Sequence, residues 1–132
     1  MAGRAAAVSS GQGLAHQVRV VGESLGLLCR SEVKVGRRLW GAVRRIDIVL
    51  TDPTTRRTLG VECKYQASTG TAEEKIPSTI QDIGAWPIPG IVVFDGVGFS
   101  PNMRAFLFST GKAVEFCDLE DWLRLYFGIG NE

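Results

Sequence analysis

The chain has 132 residues, 45% of them apolar and 22% charged, with a formal net charge of +1. That is enough for one domain with a buried core and too little for two, and the apolar share excludes disorder as the main state. No apolar run is long enough to span a bilayer, and the first residues lack the apolar stretch of a signal peptide. A single domain over residues 1–132 is expected, with residues 1–9 as a flexible lead-in. Cys29, Cys63 and Cys117 are odd in number and far apart. Neither a disulfide framework nor a zinc site fits them, and a reducing cytoplasm does.

In chain order, Leu14, Val18, Val21, Leu25 and Leu28 step by four, three, four and three. This predicts an amphipathic helix over roughly 10–29, capped by Ser9 or Ser10. Glu32–Val35 reads as a short strand closed by Gly36. Two Val- and Ile-rich runs, 43–51 and 58–65, predict strands joined by the turn Asp52-Pro53-Thr54-Thr55. A helix is expected over Ile76–Ile83, with Pro77 in its first turn, where proline is tolerated; Thr71 and Glu74 have the spacing of a capping box before it. After the bend Trp86–Pro89, the run Ile91–Phe94 is continuously apolar, as in a strand buried on both faces. A helix from Ser100-Pro101 to Gly111, a strand 113–116 and a last helix capped by Asp118 complete the order α-β-β-β-α-β-α-β-α. The expected fold is α/β: a mixed sheet with helices on both faces.

The chemistry concentrates in Arg45-Ile46-Asp47-Ile48-Val49 and Gly60-Val61-Glu62-Cys63-Lys64. A tight turn centred on Thr54-Thr55 sets Asp47 directly opposite Glu62, and Arg45 opposite Lys64. Alternation along the strands then sends Ile46, Ile48, Leu50, Leu59, Val61 and Cys63 to a core face. Arg45, Asp47, Val49, Gly60, Glu62, Lys64 and Gln66 go to the other face. Two carboxylates in direct register repel each other. A divalent cation removes that objection, since Mg²⁺ prefers one or two carboxylates with water and phosphate. The backbone carbonyl of Cys63 is a further oxygen between them. Lys64 would orient or deprotonate a water, or offset charge on a phosphate. The alternative is an ion-pair ladder across a hairpin.

Asp47…Glu62-Cys63-Lys64, on the second and third strands behind a first helix, resembles the signature of the PD-(D/E)XK nuclease superfamily. The resemblance covers roughly Leu14 to Phe116. It implies a restriction-endonuclease-like αβββαβ core and a DNA endonuclease dependent on Mg²⁺, with Mn²⁺ as a substitute. Asp47 and Glu62, with the Cys63 carbonyl, would hold the metal, and Lys64 would assist. Ile46 replaces the proline of the name. Gln66 extends the motif to E-x-K-x-Q, as in some small homing and restriction endonucleases, which implies a part for it in catalysis. The family often places a further acid on the first helix, and Glu23 is the candidate. Such enzymes belong to mobile elements and phages, which sets the expected compartment as the cytoplasm of a bacterial or phage-infected cell. A Holliday-junction resolvase of the same fold and a non-catalytic DNA-binding relative are the alternatives.

Lys34, Arg37, Arg38, Arg44 and Arg45 cluster around the acid-bearing hairpin, and Lys75 lies near a helix start. These are the expected contacts to DNA phosphates. Gly36–Gly41 reads as a hairpin tip able to reach a groove, with Trp40 more readily a packing residue than a wedge. Trp86, Phe94, Phe106, Trp122 and Tyr126 are expected in the core or an interface. The apolar last helix suggests a homo-oligomer, a dimer or larger, which would supply two sites for a double-strand cut.

Overall fold

The computed structural model describes residues 10–37, 41–67 and 75–130. Helix α1 (Gly11–Ser24) is followed by β1 (Leu28–Arg37), β2 (Val43–Thr51) and β3 (Thr58–Tyr65). Then come α2 (Ile76–Gly84), β4 (Gly90–Asp95), α3 (Pro101–Ser109), β5 (Ala113–Glu115) and α4 (Leu119–Phe127). The predicted order holds. The capping box Thr71–Glu74, and Arg38 and Trp40 of the hairpin tip, lie outside the described residues.

Helix α1 starts as expected, with the Ser10 hydroxyl accepting from the Gly13 N–H at 3.0 Å. It ends five residues earlier than the apolar stripe suggests. Gly26 has φ of 82°, the Leu27 N–H donates to Gly22 O at 3.0 Å, and the Gly26 N–H donates to Glu23 O at 3.0 Å. That left-handed closure stops the helix. Leu28 therefore opens β1, which runs for 10 residues rather than four. At the other end of the chain, Asp118 precedes α4 without capping it through its side chain.

The five strands form one sheet in the order β1-β2-β3-β4-β5. The β1–β2 and β2–β3 pairs are antiparallel, and β3–β4 and β4–β5 are parallel. Asp52 builds the β2–β3 turn: its Oδ1 accepts from the Thr54 N–H at 2.8 Å and the Thr55 N–H at 3.3 Å. The resulting register, Ile48 opposite Val61 through Thr51 opposite Thr58, is the one the turn predicts.

Helices cover both faces. On one face, Leu14, Val18 and Val21 of α1 and Leu119, Leu123 and Phe127 of α4 pack on Ile48, Leu50, Leu59, Val61 and Cys63. On the other, Ile76 and Ile83 of α2, Trp86 in the bend after it and Leu107 of α3 pack on Val49, Val92 and Phe94. The continuous apolar run in β4 is thereby explained: Ile91 and Val93 face the first layer, Val92 and Phe94 the second. Gly60 and Gly90 are direct partners on adjacent strands, and together they leave the slot that holds Trp86. A Cβ on Gly60 would lie 2.7 Å from the indole.

The expected alternation breaks at Asp47, so that Ile46 and, before it, Arg45 lie on the faces opposite to those expected. Ile46 belongs to the α2 side, beside Val49 and Trp86, and not to the face of Ile48 and Leu50. The pleat therefore slips between Ile46 and Ile48, at Asp47.

Among the exposed large apolar side chains are Phe106 and Phe108 on α3 and Leu125 on α4, so Phe106 is at the surface rather than in the core. No helix among the described residues is long and apolar enough to cross a membrane.

Candidate active site

The sheet forks at its centre. The β2–β3 ladder ends at Ile48 and Val61, while β1–β2 pairing continues past it to Val33–Ile46 and Lys34–Arg45. Beyond Val61, β3 stays with β4, pairing Glu62 with Val92 and Lys64 with Phe94. Asp47 sits in the crotch of the fork. Its Oδ2 accepts from the Cys63 N–H at 2.9 Å, so a side-chain carboxylate takes the place of the next ladder carbonyl. This is why the pleat slips there, and why an ordinary alternation argument misplaces Ile46.

Glu62 and Lys64 lie on the α2 side of β3, with the Lys64 ammonium 3.8 Å from Glu62 Oε2. They form one wall of a cleft of about 760 Å³. Facing them are Lys75, Ser78, Thr79 and Asp82 of α2 and its start, with Arg44 of β2. The Arg44 Nε donates to Asp82 Oδ1 at 2.9 Å, and the indole N–H of Trp86 donates to Asp82 Oδ2 at 3.3 Å. Asp82 thus ties the sheet to α2 across the cleft. A pair buried this far counts for more than an exposed one, because both partners keep fixed geometry.

Electrostatics set Asp47 apart. Burial raises its pKa; the Cys63 N–H acts against that, the Glu32 charge adds to the rise and the Lys64 charge opposes it. Burial also holds the Cys63 thiol well above the ordinary range, reinforced by Asp47 and Glu62 and opposed by Lys64. Cys63 is therefore a neutral thiol packed in the core, and only its backbone carbonyl is suited to a hard cation.

A pKa raised in the folded state means that Asp47 favours folding relatively more when protonated. Its contribution is at its best in acid and is lost as pH rises through the folded pKa. Asp47→Asn keeps an oxygen for the Cys63 N–H and removes that loss. In chelator, the variant should melt above the parent at pH 8 and level with it in acid. A variant that melts below the parent at pH 8 would show that the Asp47 charge stabilises the fold instead.

Against known proteins, the profile of the PD-(D/E)XK nuclease superfamily domain matches residues 6–121. The chain belongs to the PD-(D/E)XK nuclease superfamily. A crystal structure of a protein of unknown function, AF1548, shares the fold with a TM-score of 0.52 at 18% identity over 75% of this chain. The chain spans about half of that protein, 54% of its length. No curated protein matches the chain.

With the superfamily assigned, the remaining sequence candidates can be placed. Gln66 is buried at 6% exposure, and its amide Nε2 donates to Gly98 O at 2.9 Å. The Gly98 N–H returns to Gln66 O at 2.8 Å, and the Gln66 N–H donates to Asp95 O at 3.1 Å. Gln66 thus fastens the end of β3 to the loop after β4. Glu23 is exposed on α1 and pairs with Arg19 at 3.4 Å. It is not part of the cleft wall formed by Glu62, Lys64 and α2. Lys75 is exposed at the start of α2 and lines the cleft. Arg37 donates to Gly41 O at 2.7 Å, within its own hairpin. Arg45 and Lys34 are exposed and in direct register with each other.

Two residues escaped the sequence reading. Glu32 falls level with Asp47, since Ser31 pairs with Ile48 and Val33 with Ile46, and it adopts φ of 53°. A non-glycine residue with that φ inside a strand is uncommon and strained. The only signal for it was register on β1, which required that strand's true length. Asp82 was hidden because its partner Arg44 is 38 residues away. A separate acidic group, Glu115, Cys117 and Asp118, lies at the β5–α4 junction with ligand atoms within 4.8 Å of one another. Glu115 there already accepts from Arg104 at 2.7 Å.

Proposed function

We propose that this PD-(D/E)XK chain is a divalent-metal-dependent endodeoxyribonuclease of the homing, restriction or mobile-element type. The observation that carries the reading is the Asp47 carboxylate anchored on the Cys63 N–H where the β2–β3 ladder ends. It sets the Asp47 carboxylate against the strand that carries Glu62 and Lys64, although Asp47 itself is not among the residues that line their cleft.

The donor chemistry fits Mg²⁺. Two carboxylates and a backbone carbonyl form an all-oxygen set, whereas the one thiol is kept neutral by burial. Asp47, Glu62 and the Cys63 carbonyl would hold the ion. When bound, it supplies charge to the phosphoryl oxygens and acidifies a water. The chain's own residues do the rest. Lys64, beside Glu62, directs its ammonium toward the attacking water and the phosphate. Arg44 and Lys75 on the opposite wall hold the flanking phosphates. The attacking oxygen forms a new P–O bond, the old ester P–O bond breaks, and the departing oxygen takes a proton. Gln66 would contribute indirectly, by holding the end of the strand that bears Lys64.

Supercoiled plasmid and synthetic four-way junctions, each with Mg²⁺, with Mn²⁺ and with chelator, test the reading. Metal-dependent conversion of plasmid to nicked or linear form is expected. Cleavage confined to junctions would replace it with the resolvase reading. No cleavage of either with metal present would reduce the chain to a DNA-binding relative. Sedimentation of the same preparation tests the expected homo-oligomer, a dimer or larger.

A further inference from the structure

The forked sheet leaves β1 and β2 as a two-stranded ribbon past the point where β3 departs, and that ribbon is charged on both faces. Arg44 lies on the cleft face, as do Ile46 beside it and the half-buried Val33 and Val35 of β1. Arg45, one residue on, therefore faces the other way, and Lys34 is its direct cross-strand partner. Both are exposed. Like charges in direct register destabilise a ribbon. Neither core layer gains from either side chain, so the pair has no structural return. It suits an anion that bridges the two cations.

We propose that the β1–β2 ribbon enters a groove of duplex DNA, with Lys34 and Arg45 binding a phosphodiester on the face turned away from the cleft. This rests on the nuclease reading above and names its substrate as double-stranded. A single strand crossing the cleft needs cations only on the Arg44 side. A duplex straddled by the ribbon presents phosphates to both sides, and a two-stranded ribbon fits the roughly 12 Å major groove. The division of labour follows: Arg44 and Lys75 meet the strand to be cut, and Lys34 with Arg45 meets its complement.

The test uses Lys34→Glu, with Arg45→Gln as an independent variant. Binding is measured by anisotropy of a fluorescent oligonucleotide duplex and of its single strand, in chelator and over a range of salt. Melting is measured without DNA. Lys34→Glu replaces a repulsive pair by an attractive one, so its melting temperature should rise by roughly 2–4 °C. Its duplex affinity should fall about tenfold or more at low salt, with the salt slope shallower by about 1–2. Arg45→Gln should weaken duplex binding in the same direction with a slope shallower by about 1. Single-strand affinity should change by less than about threefold in either variant. Duplex affinity within twofold of the parent in both variants overturns the proposal. So does an equal loss for single strand and duplex, or a melting temperature that falls in Lys34→Glu. Failure of the nuclease reading is seen separately, as a parent chain that does not cut with metal, because these readouts need no cleavage.

Discussion

Lys64→Ala and Glu62→Gln should each stop DNA cleavage while leaving the protein folded. Both side chains look into the cleft from β3, where a neighbour is α2 and not packed core. The apolar face of the same strand, Val61 and Cys63, is untouched by either change. Loss of the Lys64 ammonium removes a cation 3.8 Å from Glu62 Oε2. A positioned proton-transfer or charge-stabilising group is worth about 10²–10⁴ in rate. Glu62→Gln takes away one of two carboxylates that would hold the ion, and should add a loss of Mg²⁺ affinity visible by calorimetry. The two variants should therefore separate: Lys64→Ala binds metal and fails to cut, Glu62→Gln fails at both. Circular dichroism and melting within about 2 °C of the parent would show the fold intact. Cleavage by Lys64→Ala at a rate near the parent's would remove Lys64 from the mechanism. Metal affinity unchanged in Glu62→Gln would remove Glu62 from the ion's ligands.

Among the described glycines, Gly96→Ala should be the most damaging single added methyl. Gly96 has φ of 111°, which a side chain rarely adopts. A Cβ there would also run into the carbonyl of Gln66, a backbone atom that cannot swing aside. That carbonyl is fixed by the Gly98 N–H, and the Gln66 amide by Gly98 O. Strain in φ and the displaced loop together should cost about 3 kcal/mol or more. Thermal unfolding should show a drop of roughly 10 °C for a chain of this size. Gln66→Ala, which loses one buried hydrogen bond and keeps the glycine, should cost about 1–3 kcal/mol. A Gly96→Ala variant as stable as the parent would mean that the loop after β4 is not locked to the end of β3.

The sequence carried β2, β3 and their register because local chemistry fixes them. Asp52 closes the turn on its own next residues, and the turn centre determines the pairs from Thr51–Thr58 to Ile48–Val61; the expected pairs Asp47–Glu62 and Arg45–Lys64 are not part of the ladder, which forks before them. What it missed depends on distant partners. Ile46 was put on the wrong face because alternation assumes an unbroken pleat, and Asp47 breaks it by bonding to Cys63. The apolar stripe overextends helix α1 because Leu25 and Leu28 keep helical spacing across a left-handed glycine. Glu32 stayed hidden until β1 reached its full length beside β2. Gln66 invited a catalytic part by its place in the motif, yet its amide is bonded to a carbonyl 32 residues on. Arg44 was read as a phosphate contact without its brace, since Asp82 comes from the helix across the cleft.

The two margins of the sheet differ in a way that bears on how copies of this molecule can meet. β5 offers three residues before the chain turns into Phe116–Asp118. β1 is long, but Glu32 at φ of 53° and Gly36 at φ of 125° crease it, and Lys34 and Arg37 add charge. Neither rim is a flat template onto which a neighbour's chain could be zipped, so runaway stacking of sheets is disfavoured from the start. The apolar side chains that α3 and α4 leave at the surface are free of that restriction.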